Sequence, residues 1–123
     1  TEEFILCGIR GWTLENQYTG DDLKIVNRET ERLKNTLKAG KALQEKAPEK
    51  ELLVFLHYPP AYGNLRCEPI CEVLRESGVK RIFYGHMHNA DPARLVYQIA
   101  GARSELIAAD YLGFCPKKIE IEK

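Results

Sequence analysis

The sequence carries no net charge: eighteen basic residues balance eighteen acidic ones across 123 positions. No overall field therefore draws the chain towards nucleic acid or an anionic membrane, although a local phosphate site stays compatible with this balance. Long apolar runs are also missing. None approaches the ~20 residues of a membrane helix, and Thr1-Glu2-Glu3-Phe4 has neither the basic start nor the apolar stretch of a signal peptide. These absences point to a cytoplasmic protein without a membrane partner. Cysteine is sparse: Cys7, Cys67, Cys71 and Cys115 are scattered, and Cys67-Glu68-Pro69-Ile70-Cys71 lacks both the spacing and the second pair of a zinc knuckle. Reduced, buried thiols are expected. There is one tryptophan, one methionine and only three histidines.

With 44% hydrophobic and 29% charged residues, the chain is long enough for one core, and residues 1–123 are expected to form a single domain. Phe4–Ile9 is a short apolar run that predicts a strand, left through Gly8-Ile9-Arg10-Gly11-Trp12, where two glycines permit close backbone approach. A chain that begins inside a strand reads as a piece of something longer. From about Asp21 to Ala47, Val26, Thr30, Leu33, Leu37, Gly40 and Leu43 recur at helical intervals. Thr19 or Asp21 is placed to cap this helix and Pro48 to stop it, with the intervening Lys, Arg and Glu forming a solvated face.

Glu51–Leu56 is nearly continuous in apolar residues and predicts a strand buried on both faces. A second helix is expected over Glu68–Ser77, closed by Gly78, followed by a strand over Lys80–Tyr84. This order favours parallel strands joined by crossovers. Beyond it, Arg94–Ile99, Glu105–Ala109 and Lys118–Glu122 are strand candidates with only short turns between, which predicts antiparallel pairing. The fold class is thus α/β: a mixed sheet with two main helices and a late antiparallel strand group.

In such a sheet ligands collect at the carboxyl ends of the parallel strands. His57 follows one candidate strand, and Tyr84-Gly85-His86-Met87-His88-Asn89 follows another. All three histidines can therefore converge, and imidazole is a ligand for zinc, iron, manganese and nickel. Gly85, without a Cβ, is expected to let the chain turn sharply there. A single half-buried histidine would need no such explanation; three at strand ends favour metal.

Leu56-His57-Tyr58-Pro59-Pro60 together with Gly85-His86-Met87-His88 resembles the C-terminal half of a calcineurin-like metallophosphoesterase. With Gly8-Ile9-Arg10-Gly11-Trp12, the long charged helix and Asp110-Tyr111-Leu112-Gly113-Phe114, the likeness extends to the bacterial predicted phosphohydrolases of that superfamily and covers nearly the whole chain. The resemblance implies an α/β sandwich with two divalent transition metals, commonly manganese, iron or zinc. His57 and His86 would bind one metal and His88 the other. The implied reaction is hydrolysis of a phosphomonoester or phosphodiester by metal-activated water.

The superfamily's D-x-H, G-D-x-x-D and G-N-H-D motifs are missing. Gly20-Asp21-Asp22-Leu23-Lys24 has Lys24 in place of the second aspartate, and Gly63-Asn64-Leu65-Arg66 has no histidine; both are read as turns. The chain is therefore expected to be a partial domain that binds at most one metal, is inactive alone, and pairs with a missing N-terminal half or with itself. Arg10 serves equally as a bidentate contact to a substrate phosphate or as a surface arginine at the sheet end. Asp110-Tyr111 fits a packing role better than a pocket wall, and Trp12 and Tyr58 serve equally as packing or as the substrate entrance. Two further readings stay open: a non-catalytic binding or scaffold module with this fold, and a mononuclear zinc hydrolase using three histidines with Asp110 as base.

Overall fold

The computed structural model describes residues 2–87, 90–108 and 119–120. His88, Asp110, Tyr111 and Cys115, all singled out above, lie outside them, as does most of the strand candidate Lys118–Glu122. The described chain is α/β. Strands β1 (Phe4–Ile9), β2 (Glu51–Leu56), β3 (Ala61–Tyr62), β4 (Leu65–Arg66), β5 (Arg81–Tyr84), β6 (Gln98–Ile99) and β7 (Ala102–Leu106) accompany helices α1 (Gly20–Lys46) and α2 (Glu68–Ser77). Five strands form one sheet in the order β1-β2-β5-β7-β6, and β3 and β4 form a separate antiparallel ribbon.

β1, β2, β5 and β7 run parallel, and β6 lies antiparallel to β7 at the sheet edge. The β1-α1-β2 and β2-α2-β5 crossovers step in the same direction, which places both helices on one face. Side chains alternate accordingly. Ile5, Leu52, Val54 and Ile82 meet Val26, Leu33 and Leu37 of α1 and Ile70 and Leu74 of α2 in the main core. On the opposite face Phe4, Leu53 and Phe83 form a smaller cluster with Phe55, Ile107 and Ile119 against it. Leu53 is thus buried on the second face, as its continuous apolar run predicts, while Phe55 stays half-buried.

Several elements depart from the sequence expectations. Thr19 is the N-cap of α1 in extended conformation but makes no side-chain cap hydrogen bond, and Gly20-Asp21-Asp22 form the first helical turn, not a separate turn. Leu43, expected on the buried stripe, is 57% exposed. Arg94–Ile99 is mainly irregular: Pro92–Arg94 is a 3-10 turn, capped by the Asp91 carboxylate accepting from Ala93 N–H, and only Gln98–Ile99 pairs as strand. The next strand begins at Ala102, earlier than expected. It pairs antiparallel with β6, and it also slots in parallel beside β5.

At the amino ends of the strands, Arg81 donates to both oxygens of Glu51 at 2.7 Å and to the Glu120 carbonyl at 2.9 Å. Its guanidinium also lies 5.6 Å from the centre of the Phe4 ring. This pins β5 to β2 and holds Glu120 near the strand start. No helix among the described residues is long and apolar enough to cross a membrane.

Candidate metal centre

The carboxyl ends of β1, β2 and β5 stay in register past the last ladder residue. His57 N–H donates to Ile9 O, Tyr58 N–H to Arg10 O, and Gly85 N–H to Leu56 O, at 3.3, 2.9 and 3.1 Å. The backbone therefore fixes Arg10, His57 and His86 side by side although they are far apart in sequence. The imidazoles of His57 and His86 are both exposed, with ring centroids 5.1 Å apart at an interplanar angle of 58°. A zinc-bound nitrogen at ~2.1 Å sets the ring centroid ~3.2 Å from the metal, so two tetrahedral ligands have centroids ~5 Å apart. The observed centroid separation of 5.1 Å is close to that figure.

The turn itself lies one residue later than expected. His86, not Gly85, has a positive φ, +67°, and Met87 N–H donates to Gly85 O at 2.8 Å across it. An i to i+2 hydrogen bond around a central residue of positive φ is the rarer, strained form of γ-turn. Strain of this kind costs of order 1–3 kcal/mol and persists only where the surroundings enforce it. Here Tyr58 packs on His86 with centroids 4.4 Å apart, and Trp12 meets Tyr58 at 5.7 Å.

Arg10 lies 4.9 Å above the Trp12 ring, so it borders the same aromatic wall. The Trp12 indole N–H is held by Asp22 at 2.9 Å. Gly11 is placed by its φ of +73°, a conformation that side-chain-bearing residues rarely adopt; a Cβ there would meet the Tyr58 carbonyl at ordinary contact distance, 3.4 Å. Behind this loop lies a residue that the charge pattern of α1 hides. Glu29 is not on the solvated face; its side chain is 1% exposed and accepts from Gly11 N–H at 3.1 Å and Arg32 at 2.9 Å. Its spacing, three after Val26 and four before Leu33, is the signal that marks it as facing inward.

Cys7, Cys67 and Cys71 are free and buried, as expected. Burial raises all three thiols above their ordinary 9.0, Cys71 to about 11. They are poor metal ligands or nucleophiles at neutral pH. Among the described residues no group of three or more His, Cys, Asp or Glu side chains is arranged to hold a metal. Cavities of about 440 and 600 Å³ lie elsewhere, one at the amino ends of the strands between Lys41 and Lys80, the other beside Gly63 and Arg94. Neither is lined by a histidine, and the strand-end rule favours the opposite, histidine-bearing end.

Comparison of the chain with family models, curated proteins and solved structures found no match.

Proposed function

We propose that this chain supplies the imidazole part of a metal-dependent hydrolytic centre, and more particularly of a calcineurin-like metallophosphoesterase acting on phosphate esters. The reading is carried by one observation: His57 and His86 stand 5.1 Å apart at the carboxyl ends of neighbouring parallel strands. The strained backbone at His86 supports it, since such strain collects at functional sites. His57 and His86 would hold one ion and His88 a second. When bound, two metals supply Lewis acidity that activates water and neutralises charge on phosphate oxygens.

In this reading Tyr58 fixes the His86 ring by packing, and Arg10 binds a substrate phosphate oxygen from the loop after β1. All three histidines are assigned to metal, so carboxylate ligands and a general acid must come from another segment or chain. The isolated chain is then a weak binder of at most one ion and lacks efficient phosphatase activity.

Elemental analysis by mass spectrometry after reconstitution with manganese, iron or zinc tests this. The unmutated chain should retain up to one ion, and His86→Ala should lose it. Equal metal content in the two proteins overturns the assignment. Metal absent from both would favour the second reading, a non-catalytic binding module that keeps a phosphoesterase-like fold, for which the missing carboxylate motifs are the supporting feature.

A further inference from the structure

Glu29 Oε2 is approached by three guanidinium groups: Arg32 at 2.9 Å, Arg28 at 3.8 Å and Arg10 at 3.9 Å. The carboxylate is 1% exposed, while the three arginine side chains are 58%, 50% and 43% exposed. Its other oxygen is taken by Gly11 N–H. Satisfying one buried carboxylate needs one arginine, and Arg32 does this within hydrogen-bond distance. Arg10 and Arg28 stand beyond hydrogen-bond reach of the same oxygen, so their donors are not committed to it. Three positive charges thus gather on Glu29, with Asp22 the nearby second carboxylate on the Trp12 indole, which leaves a local excess of one in a chain whose total is zero.

The arrangement is built by two elements. Arg28 and Arg32 share a face of α1 at i and i+4. Arg10 comes from the loop after β1, held by Tyr58 N–H on its carbonyl and stacked on Trp12. Trp12 and Tyr58 then connect this cluster directly to His86. Guanidinium groups present paired donors that match phosphate and carboxylate oxygens.

We infer that Arg10, Arg28 and Arg32, gathered on Glu29, form an anion subsite next to the histidine end. Resting on the phosphohydrolase reading, the substrate it selects is a phosphate ester that carries a second anionic group, with the reacting phosphate shared between the histidines and Arg10 and the second anion on Arg28 and Arg32. Arg28 and Arg32 are then specificity determinants that play no part in holding metal.

Trp12 is the only tryptophan and lies against Arg10, so its fluorescence reports on this subsite. The full chain is titrated with pyrophosphate in the presence of a chelator, which removes any contribution from bound metal. A saturable fluorescence change is expected, weakened about tenfold or more in Arg28→Gln and Arg32→Gln and unchanged in Lys41→Gln, at the opposite end of the strands. Thermal melts of the arginine variants check folding, and Arg28→Lys, which keeps the charge but not the paired donors, should fall between. Absence of a saturable change, or equal affinity in the arginine variants and the unmutated chain, overturns the subsite. Metal binding at the histidines without pyrophosphate binding would sink this inference alone, and the converse would sink the metal centre alone.

Discussion

His86 adopts φ +67° at the centre of a strained turn. Both His86→Gly and His86→Ala remove the imidazole and its packing on Tyr58, so the difference between them isolates the backbone. Glycine normally destabilises an ordered position relative to alanine, but it takes positive φ without steric penalty. The Gly variant should therefore be the more stable by about 1 kcal/mol, as read by urea unfolding of the two proteins. An Ala variant more stable than Gly by the ~0.5–1 kcal/mol usual at an unstrained position would mean that the turn stores no strain. Glu29 gives the opposite kind of expectation. Removing its carboxylate in Glu29→Ala orphans Gly11 N–H and leaves three clustered cations without their anion. A loss of about 2–3 kcal/mol is expected, kept below the range for fully buried pairs because the arginines reach solvent. A chemical denaturation curve that shifts by less than about 0.5 kcal/mol would show that the carboxylate is dispensable.

The buried thiols bear on pH. Burial raises the folded values of Cys7, Cys67 and Cys71 above the ordinary 9.0, so the folded state favours the neutral thiol. For a group raised on folding, this contribution is fully present below the unfolded value and is lost as pH rises through the folded one. Stability should thus fall between pH 9.0 and about 11, the upper figure being that of Cys71. Thermal melts across that range check this, and Cys71→Ala should flatten the decline.

At the scale of elements, Gly40 of α1 shows how packing overrides propensity. Alanine is favoured over glycine in a helix interior by about 1 kcal/mol. A Cβ at position 40 would lie 2.5 Å from Cys7 Sγ and 3.0 Å from Leu52 Cδ1, because the helix approaches β1 and β2 there. Gly40→Ala should therefore destabilise, by about 1–3 kcal/mol. Cys7→Ala in the same chain should recover much of the loss, since it deletes the sulfur in conflict. Simple additivity in this double-mutant cycle would show that the two sites do not touch. Gly40 appeared in the sequence only as a small member of the helical stripe; the close approach that requires it depends on the sheet behind it. β1, β2 and α2 were legible to the residue because their signals are local: apolar runs of strand length, a proline at the start of α2 and Gly78 in left-handed conformation at its end. The region after His86 was not. There, Val96 and Leu95 look like strand residues, yet Leu95 turns into the core after a proline-initiated 3-10 turn. The parallel docking of β7 beside β5 is a long-range choice that no local pattern encodes. The histidine pairing was visible because strand ends are. Glu29 was obscured by the many charged neighbours that share its helix.

At the scale of the whole molecule, the two faces of the sheet are unequal among the described residues. α1 and α2 cover one, where Leu33, Val54, Leu74 and Ile82 have no solvent exposure. The other carries the smaller Phe4-Leu53-Phe83 cluster, flanked by half-buried Phe55 and Ile107, and Leu6 projects from β1 with 57% of its surface exposed. β1 is also the terminal strand in the sheet that the described residues form. An apolar face next to an edge strand favours association, because each apolar Å² removed from water contributes about 25 cal/mol and edges accept further strands. We therefore expect the chain to self-associate at tens of micromolar, a test range in which mass action populates weak oligomers. Leu6→Lys should shift it towards monomer, since a charge at an apolar edge position must be desolvated to pair. Sedimentation velocity on both proteins separates the outcomes. A compact monomer for the unmutated chain, or the same oligomer with Lys at position 6, would remove β1 and its face as the contact. Monomer formation by the Lys variant without loss of metal at His57 and His86 would show that association and metal binding occupy different ends of the same sheet.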